Sequence, residues 1–362
     1  MPAADNGLGL FLTALPGQLA IDVAARAERA GFRSCWFPED AFADAFGPAT
    51  AAALRTKRVG IGAGVVGIRS RSVVTTALQA ATLHRLSGGR LLLGLGADDV
   101  PDGEPGDPVE AMRDTVTILR GVLAGRLTSH EGEVFSVENF YLDMPVPQPA
   151  PRIAIAANDP AMIELAGEIA DGLVGWFQSL EYVRDVTMPA LRRGAERAGR
   201  SLDGFEATVG FPTVVTRDDS GVELAQGQVM MVASANGTTA YRESARAAGF
   251  GAEADAIAER VRAGDLHGAV AEVPDEMAAA LAMAGSPDRV RARIDAYRAA
   301  GVTGVHLLPS QPGGFHPLSE DHFPAESLSQ VPELDVPALL RGFDDTIELL
   351  GTRHRRKRFL RT

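Results

Sequence analysis

The sequence predicts a (β/α)8 TIM barrel with insertions and a C-terminal extension, and three observations lead there. Short apolar runs alternate with longer helical patterns along the 362-residue chain, as βα units feeding a parallel sheet do. Eight such strands can be counted, the number that closes a barrel. The stretch from Val59 to Gly96, VGIGAGVVGIRSRSVVTTALQAATLHRLSGGRLLLGLG, holds two glycine-rich apolar strands joined by a helix that ends in Ser-Gly-Gly-Arg.

Taken in order, strands are expected near Leu8 to Leu12, Ser34 to Phe37, Val59 to Val65, Leu91 to Leu95, Arg152 to Ala156, Gly172 to Trp176, Phe205 to Val214 and Val302 to Leu308. The first helix shows how each unit is built. Leu19, Val23, Ala27 and Ala30 recur at three- and four-residue spacing, while Asp22, Arg26 and Glu28 fall mostly elsewhere on the wheel. Gly31 ends that helix where a left-handed residue is wanted, and Gly301 does the same before the last strand.

A barrel is therefore expected over residues 1–309, with additions to the minimal fold near 128–151 and 221–287. The first addition reads EGEVFSVENF and then PVPQPAP, a strand pair followed by an extended Pro-rich run. The second is helical and alanine-rich. Residues 310–362 form the extension, with a Pro/Gly-rich loop, a helix around Val336 to Leu350 and a basic tail, RHRRKRFLRT.

Gly62, Gly64 and Gly67 interrupt the third strand, and glycine inside a strand weakens it by about 0.5 to 1 kcal/mol relative to alanine. Something must approach the backbone closely there. A β-bulge or tight barrel corner is one reading; a bulge that supports a planar ring is the other.

The net charge of −12 argues against a general nucleic-acid or anionic-membrane binder, which needs a positive field. A single cysteine, Cys35, excludes an intrachain disulfide and a multi-thiolate metal site, and its apolar setting reads as a packed core thiol. No apolar segment long enough to span a bilayer occurs and the N-terminus lacks an export signal, so a cytoplasmic protein is expected. The seven histidines form no H-E-x-x-H motif or close ligand cluster, so no metal is expected. Phosphate-loop and nucleophile-elbow motifs are lacking too. His306, inside the last strand, reads as structural. His316 and His322 lie in the Pro-rich loop and are candidates for substrate contact or proton donation.

In this order, AERAGFRSCWFPED, GAGVVGIRSRSVVTTALQAATLHRLSGGRLLLGLGADD, the run from EGEVF to PVPQPAPRIAIAAND, LAGEIADGLV and VRAGDLHGAVAEVPDEMAAALAMAGSPDRVRARIDAYRAAGVTGVHLLPS make the chain resemble the luciferase-like flavin and deazaflavin oxidoreductases. It is most similar to their methylenetetrahydromethanopterin reductase branch, which uses coenzyme F420. The resemblance runs from Leu8 to about Ser310, and AGDLHGAVAEVPDEM is the piece that points to the reductase branch.

The resemblance implies a homodimeric barrel with its cofactor at the C-terminal rim. It implies a non-prolyl cis peptide between Gly64 and Val65, and a bulge with Val66 that presses on the back of the central ring. It sets the cofactor's phosphate side chain at Ala156, Ala157 and Asn158, where small residues meet the N-terminus of the next helix; without it, the same residues read as a tight βα turn. Arg69 and Arg71 are candidates to face an anionic cofactor tail, or to be solvated or ion-paired. Gly94 and Gly96 allow close approach, and Asp99, after Asp98, matches an acidic position of the family. Asp40 stands where the family often has histidine, which leaves Glu39 or Asp40 as candidate proton donors, in competition with helix capping.

These implications lead to a deazaflavin-dependent reductase that moves a hydride between C5 of coenzyme F420 and an electron-poor C=C or C=N bond of a small-molecule or peptide substrate, such as a dehydroalanine residue. An FMN-dependent monooxygenase is the alternative on the same barrel. A non-catalytic barrel that binds a partner is the alternative of another class.

Overall fold

Eight parallel strands close into a cylinder in the computed structural model, which describes residues 7–39, 44–97, 106–234, 239–310 and 334–352. The strands are β1 (Leu8–Phe11), β2 (Ser34–Phe37), β3 (Gly60–Gly67), β4 (Leu91–Gly96), β5 (Arg152–Ala156), β6 (Gly172–Trp176), β7 (Glu206–Val215) and β8 (Gly304–Pro309). Each pairs with the next, and β8 pairs back onto β1 to close the ring. Around them run α1 (Gly17–Ala30), α2 (Phe46–Arg55), α3 (Val73–Leu86), α4 (Pro108–Leu123), α5 (Pro160–Ile169), α6 (Met188–Arg197), α7 (Pro287–Ala299) and α8 (Val336–Leu350). Gly31 and Gly301 take the left-handed conformation expected of them, with φ of 88° and 105°.

Alternation along the strands divides the apolar residues into two layers. Leu10, Cys35, Ile61, Leu93, Ile155, Val209 and Leu307 are buried in one continuous core shared with the helices. The second layer fills the barrel's interior: Phe11, Trp36, Val174 and Leu308, with Trp176 packed against them. Phe11 stacks on Trp36 at 5.5 Å between centroids and meets Trp176 edge-on at 4.5 Å. His306 lies among them, 5.1 Å from Trp36. Burial first, and the Arg33 charge second, push its pKa down to about 3, so it is a neutral core ring as expected. Burial likewise raises the pKa of the Cys35 thiol and leaves it protonated.

These rings explain several of the strand glycines. A β-carbon on Gly62 would lie 2.2 Å from the Trp36 indole, one on Gly94 would lie 2.9 Å from it, and one on Gly210 would lie 2.4 Å from Trp176. The close approach inferred at Gly62 is therefore made by the protein's own tryptophan.

The N-terminal end of the barrel is held by half-buried charge. Arg90, the arginine of the Ser-Gly-Gly-Arg motif, donates to the carbonyls of Ala53, Thr56, Val59 and Ser87 and to the Thr56 hydroxyl at 2.6–3.2 Å. One side chain thus ties the end of α2 and the start of β3 to the loop before β4. Glu28 accepts from the backbone N–H groups of Lys57, Arg58 and Val59 at 2.6–3.0 Å. Burial pushes its pKa up, but those three donors and the Arg58 charge outweigh it and leave the pKa lowered.

Of the two expected insertions, the first is an antiparallel hairpin, Thr128–Glu131 and Ser136–Phe140. Asp114 of α4 anchors it, accepting from the N–H groups of Val134 and Phe135 and pairing with His130 at 2.8 Å. The Pro-rich run then crosses α3, where His84 meets the Pro149 carbonyl at 3.1 Å. The second insertion is a helical layer with its own core of Val222, Val229, Ile257, Val261, Leu266, Met277 and Leu281. It ends in a short strand, Met283–Gly285, not expected from sequence, which pairs with the end of β7.

Helix α8, read from sequence as part of an extension, packs as the eighth barrel helix between α7 and α1. Phe343 is fully buried, and Leu339, Ile347 and Leu350 join the main core. The Pro/Gly-rich segment before it hid this return, since periodicity shows an amphipathic face but not what covers it.

Candidate active site at the strand C-termini

Every site residue expected from sequence that is described lies at the C-terminal rim, where (β/α)8 enzymes carry their chemistry. The rim is irregular at β3. Ala63 pairs with Leu93 and Val66 with Leu95, so Gly64 and Val65 together face Gly94 alone, which is a bulge, and the Gly64–Val65 peptide is cis. Val65 is half-buried beside Gly96, whose β-carbon would lie 2.4 Å from the Val65 side chain. Val66 is different. Its side chain is wholly buried in the main core, because the bulge turns it outward toward the helices, so only its backbone can face the rim.

Glu39, just beyond β2, and Arg71, beyond β3, form an ion pair, and both side chains are mostly shielded. Ser70 donates to the other Glu39 oxygen at 3.1 Å. Arg71 also reaches Gln79 at 3.5 Å and lies 5.5 Å from the Phe46 ring centroid. Two candidates read separately from sequence are thus one unit, in which Glu39 accepts from both neighbours and sets the guanidinium's position. Arg69 donates to the Gly106 carbonyl at 3.3 Å and lies over Phe135 of the hairpin.

Across the mouth, Ala156, Ala157 and Asn158 leave β5 and lead into α5. The helix N–H groups expected to be open are already occupied: the Asp159 carboxylate caps Ala161 and Met162 at 2.9 and 3.3 Å. The Asn158 amide is equally committed. It donates to the Trp176 carbonyl and accepts from the Trp176 N–H, both at 3.0 Å, which clamps the end of β5 to the end of β6. Gln178, fully buried, donates to Asn158 and to the Ala157 carbonyl, while its own oxygen accepts from Thr187. The Tyr182 hydroxyl donates to the Asn158 carbonyl at 2.7 Å; burial first, then Asp159 and Glu243, raise its pKa to about 12, so it stays protonated.

The residues that finish this rim were missed from sequence. Phe177, directly after β6, has φ of 52°, which bulky residues rarely adopt. Its carbonyl accepts from Ser244 of the helical insertion, and its ring meets Tyr241 at 5.4 Å. Only the aromatic pair Trp176–Phe177 at a strand end signalled them. Asp40, Asp98, Asp99, His316, His322 and the basic tail lie outside the described residues. Among the described residues no group of His, Cys, Asp and Glu side chains is placed to hold a metal ion.

Comparison with known proteins bears on the fold and the family. The chain is 30% identical over 288 residues to 5,10-methylenetetrahydromethanopterin reductase of Archaeoglobus fulgidus, covering 77% of this chain and 86% of that one. Among solved structures it superposes on the coenzyme F420 dependent tetrahydromethanopterin reductase of Methanopyrus kandleri with a TM-score of 0.77, at 23% identity over 96% of this chain and 99% of that one. The oxygenating constituent of 3,6-diketocamphane monooxygenase from Pseudomonas putida, solved with FMN, gives 0.64 at 19% identity, covering 98% and 99%. The profile described as luciferase-like monooxygenase matches residues 12–304, and the chain belongs to that family.

Proposed function

We propose that this chain is an oxidoreductase that binds coenzyme F420 at the barrel's C-terminal rim and reduces an electron-poor C=C or C=N bond of a small-molecule or peptide substrate. The 30% identity to a reductase over 77% of the chain carries the reading. The rim fits the group: half-buried Val65 on the bulge, with Gly96 and Ala156 alongside and half-buried Trp176 beyond, offers small and apolar residues to a planar ring. When bound, the deazaflavin supplies hydride chemistry at C5. The chain's own residues orient and exclude water. Val65 and Gly96 support the ring, Arg71, steadied by Glu39, offers charge to an anionic tail, and the Ala156 to Asn158 loop borders the phosphate side.

Fluorescence titration with coenzyme F420 tests this; low-micromolar or tighter binding is expected. Binding of reduced FMN instead, with oxygen uptake on turnover, would transfer the assignment to a monooxygenase, the reading favoured by the FMN-bound neighbour. We also propose a cytoplasmic homodimer. Leu54 of α2 and Leu78 and Leu86 of α3 are each about half exposed or more, an apolar surface that a second copy would cover. Among the described residues no helix is long and apolar enough to cross a membrane.

A further inference from the structure

The four residues from Trp176 to Ser179 are gripped from two sides. From β5, Asn158 holds both backbone polar groups of Trp176 and accepts from Gln178. From the helical insertion, Ser244 accepts from the Ser179 N–H at 2.7 Å and donates to the Phe177 carbonyl at 2.8 Å, and the Ser244 carbonyl accepts from the Ser179 hydroxyl at 2.9 Å. Phe177 itself donates to Gly210 of β7 at 2.9 Å, and Tyr297 of α7 donates to the Gln178 carbonyl at 2.8 Å. Ser244 and Ser179 are both fully buried, so these bonds form out of competition with water.

Between the two grips lies Phe177 with its left-handed backbone. A β-carbon makes that conformation unfavourable, and it persists where surrounding contacts over-determine it. Ser244 provides the contact on the Phe177 carbonyl. Were the peptide to relax, Trp176 and Gln178 would move with it, and both are partners of Asn158.

We propose that Ser244 is a positioning residue for the cofactor rim: by holding Phe177 left-handed, it keeps Trp176 and Gln178 in register with Asn158, so that the helical insertion sets the shape of the β5–β6 side of the site. The inference rests on the rim being a cofactor site, as proposed above. It assigns to the insertion a role in cofactor affinity through backbone geometry, without contact between Ser244 and the ligand.

A double-mutant cycle tests it, because glycine takes φ of 52° without the penalty that phenylalanine carries. Dissociation constants for coenzyme F420 and for reduced FMN are measured in parallel on wild type, Ser244→Ala, Phe177→Gly and the double variant, at a temperature where circular dichroism shows each folded. Ser244→Ala is expected to weaken binding about tenfold, as the competent rim becomes a minor population. In the Phe177→Gly background the same change should cost less than about twofold. A general loss of packing would weaken both backgrounds alike, and that result overturns the proposal, as does wild-type affinity in Ser244→Ala. If Ser244→Ala fails to fold, the double variant must recover the fold for the proposal to stand. Should wild type bind FMN and not coenzyme F420, the functional reading falls while the cycle, run with FMN, still decides the role of Ser244. If wild type binds neither, both fall.

Discussion

The two ends of the barrel use the same residue types for opposite purposes. At the N-terminal end, Arg90 donates to four backbone carbonyls and one hydroxyl, and Glu28 accepts from three backbone N–H groups. At the C-terminal end, Arg71 and Glu39 satisfy chiefly each other and side chains nearby, and β3 and β6 end in a bulge and a left-handed phenylalanine. One of the motifs that make the chain resemble its family, Ser-Gly-Gly-Arg, belongs to the first end. Other motifs of the resemblance, SCWFPED, GAGVVGIRSRS and RIAIAAND, carry Glu39, Arg71 and Asn158 at the second end, so a recognisable motif does not by itself say which end it serves.

Substitutions at each end should separate stability from binding. Arg90→Ala strands several carbonyls and should lower the unfolding free energy by roughly 4 kcal/mol, read by guanidinium titration, with cofactor affinity of the folded fraction unchanged. Gly62→Ala drives a methyl into Trp36 and should cost about 2 to 3 kcal/mol in the same experiment. A loss of cofactor affinity in Arg90→Ala as large as its loss of stability would erase the distinction between the ends.

The hairpin sharpens the comparison, since Asp114 anchors it with a buried carboxylate much as the half-buried Glu28 holds the start of β3. Burial pushes the Asp114 pKa up, but His130 and the N–H groups of Phe135 and Val134 outweigh it, and the folded pKa is lowered. Its contribution is therefore complete above the ordinary carboxylate pKa and lost as pH falls through the lowered one, below about pH 4. Asp114→Asn should cost roughly 2 kcal/mol at neutral pH, flatten the acid limb of stability and speed proteolysis within 128–140. Arg71→Ala should change stability least, by about 1 kcal/mol or less, and yet weaken cofactor binding severalfold.

Much of the fold was legible because each βα unit carries its own period: the eight strands stand within a few residues of where alternation and glycine punctuation put them. The interior was less so. Gly62 and Trp36 lie on different strands and nothing local pairs them, so the glycine read equally well as room for a ligand. At the rim, the resemblance pointed to the cis Gly64–Val65 peptide and to Glu39, and charge brought out Arg71, but nothing in the sequence showed the union of the last two. Asn158 read as an open phosphate contact because the sequence does not show that Trp176, eighteen positions later, uses both ends of its amide. Ser244 carried no signal at all, being one serine in an alanine-rich helix whose partners, the Phe177 carbonyl and Ser179, lie 67 and 65 positions away in the chain.

The aromatic plug has a consequence for traffic. Phe11, Trp36, Trp176 and His306 pack together inside the cylinder, so its interior is filled and the rim is the side on which a ligand would rest. If the rim holds a cofactor and a substrate as proposed, both would enter and leave on that one side.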